Sequence, residues 1–248
     1  MIQTAKLKYD EKAVFFERED FANDEELVQA IGSCIGAQKK AAFQKLGEIF
    51  KPNAEAEQAV SREALDKLLK AGLDVNGIQT DRELSNVVVF NDPRFQNAVL
   101  SDEIKAAREK VDRLVEKKLR ALFGGQETLG VRSSGFFLYP PKGFMGWHTN
   151  SESPGWRFYV NVAEEPGKSF IRYRHPSTGQ IVTSWDKKIS FRLFRVTRRD
   201  PIWHAIYSDT YRYSFGYHVY KKPGFLNRLQ KKVSRVFSKV HEKSFQSS

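Results

Sequence analysis

Apolar positions recur at helical spacing in the first half of the chain and at a spacing of two in the second, with the change at Gly130. From Asp24 to about Phe50 the series Leu27, Ile31, Cys34/Ile35, Ala42, Leu46, Ile49 predicts a helix, capped by Asn23 or Asp24 and open to division at Gly32 and Gly36. Pro52 closes it. Ser61-Arg62-Glu63-Ala64 opens a second helix through Leu65, Leu68 and Leu69, which Gly72 stops. Residues 1–85 therefore read as a helical annex. Val87-Val88-Val89-Phe90, bounded by Asn91-Asp92-Pro93, predicts a buried strand. The strongest helix covers 101–123: Ser101 or Asp102 caps it, Ile104, Val111, Leu114, Leu119 and Leu122 form its apolar side, and Gly124-Gly125 ends it.

Beyond Gly130 the β-prone runs are 131–139, 156–163, 169–174, 180–184, 189–197 and 211–220. Turns such as Glu165-Pro166-Gly167 and Pro176-Ser177-Thr178-Gly179 separate them. Short strands at this density predict a β-sandwich or jelly roll over residues 86–222, with helix 101–123 in support. The fold class expected is α+β. Past Pro223-Gly224, Leu226, Leu229, Val233, Val236, Phe237 and Val240 keep helical spacing while lysines and arginines take the other positions. Residues 223–248 thus read as a basic amphipathic helix, whose apolar stripe docks on the domain or whose charges meet a membrane surface or nucleic acid.

A single cysteine, Cys34, forms no intramolecular disulfide, and the opening residues MIQTAKLKYDEK lack the apolar run of a signal peptide. The expectation is a cytoplasmic, reducing setting. No apolar stretch approaches bilayer-spanning length, which excludes a transmembrane helix. The net charge is +11, but residues 221–248 hold eight Lys or Arg and one acid, so about seven of the eleven charges sit in the tail. A basic balance favours anionic partners. Here that inference concerns the tail more than the body.

Candidate chemistry lies in two stretches, 139–150 and 203–214. His148 and Asn150, one residue apart, would point to one side of a strand, and His204, 56 residues later, approaches if the intervening strands fold back. Two histidines and one oxygen donor on one face suit a mononuclear iron site with open positions. Arg212 and Ser214, again one residue apart, can converge on a carboxylate such as the distal one of 2-oxoglutarate, and Tyr139 can add a phenol hydrogen bond. Arg192, Arg195, Arg198 and Arg199 would form a basic strand and turn near the pocket mouth, suited to an anionic substrate. His175, His218 and His241 read as structural. Trp147, Trp156 and Trp203 flank the site in sequence, as walls or as core.

The order Tyr139, Gly146, His148-x-Asn150, distant His204, Arg212-x-Ser214 resembles the iron(II) and 2-oxoglutarate-dependent dioxygenase superfamily over roughly residues 131–220. The Tyr139-Pro140 start and Arg-x-Ser ending are similar to its prolyl-hydroxylase-like branch. Gly146-Trp147-His148 and Arg212-Tyr213-Ser214 are similar to its nucleic-acid-demethylase branch. The resemblance implies a double-stranded β-helix fold and an enzyme that consumes 2-oxoglutarate and dioxygen. It also implies iron ligands His148 and His204, and a 2-oxoglutarate anchor of Arg212 and Ser214 assisted by Tyr139. One departure stands out: the family has Asp or Glu where this chain has Asn150. The third ligand is then the Asn150 carbonyl oxygen, the carboxylate of Glu152, or water or an exogenous anion, as in the family's halogenases. The rival expectation is a jelly-roll binding module with a vestigial metal site, associated with nucleic acid through its tail.

Overall fold

The computed structural model describes residues 6–11, 15–73, 75, 84–95 and 98–222 of the 248. The basic helix expected at 223–248 lies outside the described residues. Helices α1 (Glu25–Phe43), α2 (Leu46–Ile49) and α3 (Arg62–Lys70) precede the short strands β2 (Ser85–Asn86) and β3 (Val88–Val89), and β1 (Phe15–Glu17) precedes them all. Helix α4 (Asp102–Leu122) follows. The remaining strands are β4 (Leu129–Tyr139), β5 (Gly143–His148), β6 (Gly155–Ala163), β7 (Ser169–Arg174), β8 (Ile181–Trp185), β9 (Ile189–Val196), β10 (His204–Ser208) and β11 (Arg212–Lys221). Among the described residues no helix is long and apolar enough to cross a membrane.

The caps anticipated from sequence form. Asp24 accepts from the Leu27 amide at 3.0 Å, Ser61 from Ala64 at 3.1 Å and Ser101 from Ile104 at 3.3 Å, each satisfying an amide that the first helical turn leaves unpaired. The first helix divides at Gln44-Lys45 and not at Gly32 or Gly36, where an added Cβ would meet open space.

The strands form two antiparallel sheets, one of six strands in the order β1-β9-β6-β11-β4-β3 and one of five in the order β2-β5-β10-β7-β8. Phe137, Tyr139 and Phe194 of the larger sheet pack with Met145, Ile171 and Ile206 of the smaller, so the two sheets face each other. Helices α1 and α4 cover the outer face of the larger sheet, where Ile31, Val111, Val115 and Leu119 meet Phe158, Phe191, Tyr213 and Phe215. Each such side chain contributes about 1.5–3 kcal/mol by leaving water. Arg108 interrupts the apolar stripe of α4, yet it is buried: its guanidinium lies 4.4 Å from the Phe136 ring and pairs with Asp112. The opposite outer face, on the smaller sheet, is covered by the segment around α3, through Ala56, Val60 and Leu65 against Phe144, Trp147 and Tyr207. The helices of the first 85 residues are thus distributed on both sides of the sheets.

A bulge in β5 decides which side chains face inward. On β10, His204 and Ile206 are two residues apart, whereas their partners on β5, His148 and Met145, are three apart. The extra residue resets the alternation. Met145 and His148 then both face the space between the sheets, while Phe144 and Trp147 face α3. Gly146 permits this because the edge chain passes close: its amide donates to the Leu84 carbonyl at 2.8 Å, and a Cβ there would sit 3.0 Å from that oxygen.

Candidate active site

His148 ends β5 and His204 begins β10, and the two are directly paired in register. Their ring centroids are 4.0 Å apart. Both are buried, and each ring uses Nδ1 in the same way. His148 Nδ1 faces the Gly146 carbonyl at 2.8 Å and His204 Nδ1 faces the Ile202 carbonyl at 3.0 Å. A carbonyl only accepts, so Nδ1 carries the hydrogen on each ring and Nε2 keeps its lone pair. Burial, with Arg157 adding to it, pulls the His148 pKa down to about 4. Burial and the neighbouring His148 hold His204 well below its ordinary value. Both imidazoles are therefore neutral at pH 7, the form that binds a metal.

Asn150 reaches this pair by a different route from the one its spacing suggests. The strand stops at His148, and Asn150 stands in the following turn with φ 57°, a left-handed conformation that asparagine tolerates. Its amide nitrogen is 3.5 Å from His204 Nε2. Turning the amide over exchanges its nitrogen and oxygen, so Oδ1 can face the same point. Glu152 is exposed.

Arg212 and Ser214 enter from β11 at the other end of the space between the sheets. Arg212 is 1% exposed, stacks its guanidinium 5.0 Å from the ring of Tyr139, and donates from Nε to Asp186 Oδ2 at 2.7 Å. Tyr139 therefore supports the guanidinium by its face. Asp186 also accepts from Ser169 Oγ at 2.5 Å and pairs through Oδ1 with Arg192 Nη1. Arg192 Nη1 further donates to Asn161 Oδ1 at 3.0 Å, and Asn161 Nδ2 donates to Ser214 Oγ at 3.0 Å. Burial alone would raise the Asp186 pKa, but Arg212 and then Arg192 hold it below the usual carboxylate range. Two guanidiniums and one carboxylate leave one net positive charge in a buried cluster. The unsatisfied end is Arg212, whose Nη1 is buried with no partner.

A narrow slot of about 20 Å³, lined by Met145, His148, Tyr159, Ile171, Arg212 and Ser214 among others, links His148 to Arg212. By the same measure a water needs roughly 10–15 Å³, so a larger guest requires its apolar wall to move apart. A second cavity of about 610 Å³, between α3 and β5, reaches His148 past Lys67, Leu68 and Trp147.

Sequence reasoning misplaced or missed several residues. Arg192 is fully buried behind Arg212 and does not reach a pocket mouth. Arg195 donates to the Glu11 carbonyl at 2.8 Å, on the other face of β9, and Arg198 and Arg199 are exposed on a turn. Trp156 sits in the core beneath α1 and α4, donating to the Tyr9 carbonyl at 2.7 Å; Trp147 and Trp203 lie in the layer under α3. Asp186, Asn161 and Arg157 gave no motif. The one available signal concerned Arg192, a single arginine inside the apolar run Ile189-Ser190-Phe191-Arg192-Leu193-Phe194, where period two places it with Phe194 on a buried face.

No protein-family model and no curated protein matches the chain. Among solved structures, a prolyl-4-hydroxylase of Pseudomonas putida is 11% identical with a TM-score of 0.46, over 86% of this chain and 94% of that one. A prolyl hydroxylase from Trichoplax adhaerens, in complex with a hypoxia inducible factor peptide fragment, is 16% identical with a TM-score of 0.36, over 80% and 94%. A 2OG-Fe(II) oxygenase family oxidoreductase from Burkholderia pseudomallei is 9% identical with a TM-score of 0.38, over 82% and 96%. These three are two prolyl hydroxylases and a 2OG-Fe(II) oxygenase family protein, at a level of superposition that leaves function to be argued from the residues of the site.

Proposed function

We propose that the chain is an iron(II)- and 2-oxoglutarate-dependent oxygenase built on a jelly-roll, double-stranded β-helix pair of sheets. One observation carries this: two paired, buried imidazoles keep Nδ1 on backbone carbonyls, with the Asn150 amide at His204 Nε2, and His148 lines a slot that also reaches a buried guanidinium with an unpartnered nitrogen. In donor chemistry the residues fit both guests. His148 and His204 would hold iron through Nε2, and Asn150 would add its carbonyl oxygen. The single net positive charge around Arg212 matches one carboxylate of a diacid, which Nη1 would bind while Ser214 and Tyr139 fix the guanidinium's surroundings. In size the slot must widen to admit a five-carbon diacid. Bound iron with 2-oxoglutarate supplies the dioxygen-activating oxidation that yields succinate, carbon dioxide and a hydroxylated or demethylated substrate. The protein's part is to present neutral imidazoles in fixed tautomers, to keep bulk water out, and to orient the diacid along the slot.

The neutral Asn150 favours one other reading, a jelly-roll binding module whose metal site is vestigial. Anaerobic addition of iron(II) and 2-oxoglutarate separates the two. The oxygenase develops a visible metal-to-ligand charge-transfer band that Arg212→Ala weakens; the binding module develops none.

A further inference from the structure

Four residues stand in register across the inner face of the larger sheet, at the end where the imidazoles lie. Arg132 of β4 is opposite His218 of β11, His218 is opposite Arg157 of β6, and Arg157 is opposite Phe194 of β9. Alternation along β6 puts Arg157 on the same face as Tyr159 and Asn161, which line the slot. Phe194 meets His204 edge-on, with centroids 5.0 Å apart. The row therefore runs from exposed Arg132, through buried His218 and Arg157, to the imidazole pair.

Stability does not account for this row, because it buries a guanidinium without an ion-pair partner beside a neutral imidazole that has an unpartnered nitrogen. Arg157 is 5% exposed and forms no ion pair among the described residues. Its Nη2 donates to the Ser153 carbonyl at 2.9 Å, but its Nε is buried with no partner. Next to it His218, 3% exposed, uses Nε2 on the Pro154 carbonyl at 3.1 Å and leaves Nδ1 buried with no partner. Opposed residues of this kind have Cβ atoms about 5 Å apart, so the two side chains are neighbours on this face. The acid whose charge acts on Arg157 is the exposed Glu152, at longer range. A surface cleft of about 360 Å³, walled by Pro154, Gly155 and Tyr220 together with Asp10, Arg195 and Lys221, adjoins Pro154, whose carbonyl His218 meets. Arg132 stands over the ring of Tyr220 at 5.3 Å.

We propose that Arg132, His218 and Arg157 form the subsite for an oxyanion of the substrate, a carboxylate or phosphate, and that its occupancy holds the neighbouring carbon towards His148 and His204. A phosphate that keeps one hydrogen satisfies both orphans at once: a charged oxygen accepts from Arg157 Nε and the hydroxyl donates to His218 Nδ1, whereas a carboxylate, which has no hydrogen to give, pairs with Arg157 alone. Calling this anion part of the substrate rests on the oxygenase reading; the anion site itself does not.

The test uses the metal-free full chain. Its five histidines make the ring nitrogen spectrum tractable by two-dimensional proton–nitrogen correlation. Inorganic phosphate, and acetate in a second series, are titrated at constant ionic strength. The His218 signals are expected to shift saturably while those of His175, on the β7–β8 turn, stay still. Arg157→Gln should raise the midpoint at least tenfold, and the exposed Arg132→Gln should raise it about threefold without disturbing the core. The stronger anion identifies phosphate or carboxylate as the preferred group. A motionless His218, or unchanged midpoints in both variants, overturns the proposal. A charge-transfer band without anion binding sinks this subsite alone, whereas anion binding without the band leaves the subsite and sinks the oxygenase.

Discussion

Asp186 is the residue whose removal should cost the fold most for the smallest change in shape. It is 2% exposed and neutralises one of two guanidiniums that are themselves almost wholly buried. Asp186→Asn keeps the size of the side chain but leaves Arg192 and Arg212 facing each other without a counter-charge. Removing one partner of a buried pair costs about 3–5 kcal/mol. Because both arginines share this acid, the upper part of that range is expected, about 4–5 kcal/mol. Whole domains have only about 5–15 kcal/mol of stability, so the variant should sit near the edge of folding. Urea denaturation followed by tryptophan fluorescence at pH 7 measures this as a lower midpoint at unchanged slope. Adding Arg192→Met to Asp186→Asn returns the cluster to one net positive charge and should recover at least about 2 kcal/mol of the loss. A midpoint for Asp186→Asn within about 1 kcal/mol of the parent would refute the buried-charge reasoning.

The remaining predictions concern the metal end of the slot and the response to acid. Gly146→Ala places a Cβ 3.0 Å from the Leu84 carbonyl, so the bulge must shift; a loss of about 1–3 kcal/mol in thermal unfolding and weaker cobalt(II) binding should follow. Asn150→Asp supplies the carboxylate that the amide lacks and should tighten iron(II) binding about tenfold, or about 1.4 kcal/mol, by calorimetric titration; no change would count against Asn150 as a ligand. His148 and His218 are both held down to about 4 by burial first, against 6.5 in an unfolded chain. Below 6.5 the unfolded chain takes up protons that the fold does not, so this stabilisation is complete above 6.5 and is lost as pH falls towards 4. Each histidine accounts for up to about 3 kcal/mol of that loss, and urea midpoints at pH 7 and pH 5 in His218→Gln against the parent should show a reduced pH dependence.

The helices were legible in the sequence because local chemistry determines them. Asp24, Ser61 and Ser101 each cap where a side-chain oxygen precedes an apolar series, and α4 follows its spacing of three and four. The long strands of the larger sheet were legible for a similar reason, since one face packs on helices and the other on the second sheet. The two strands that carry the histidines were not among the periodic runs. β5 is buried along its whole length and contains a bulge at Gly146-Trp147, so no alternation is visible in it, and β10 is only five residues long. His148, His204, Arg212 and Ser214 were nevertheless singled out as candidates, because their chemistry is conspicuous and His148 with Asn150, like Arg212 with Ser214, keeps a fixed spacing. Asp186 and Asn161 were not, and Arg192 was expected near the pocket mouth, because what joins the three is a buried charge network among three separate strands and a turn. Only tertiary structure brings such groups together. Arg157 gave no signal and His218 read as structural for the same reason: that they stand opposite each other with unpartnered nitrogens is something sequence spacing does not encode.

The central claim is that His148 and His204 bind one metal ion through Nε2 while Nδ1 keeps its hydrogen on a backbone carbonyl. Proton nuclear magnetic resonance of the cobalt(II)-loaded protein tests it most directly, because a hydrogen on the far nitrogen of a coordinated imidazole is strongly shifted by the paramagnetic ion and is lost in deuterium oxide. Two such exchangeable signals are predicted, protected by the carbonyls of Gly146 and Ile202, with one disappearing in His148→Gln and the other in His204→Gln. A spectrum without shifted exchangeable signals, or one left intact by both substitutions, would contradict the claim.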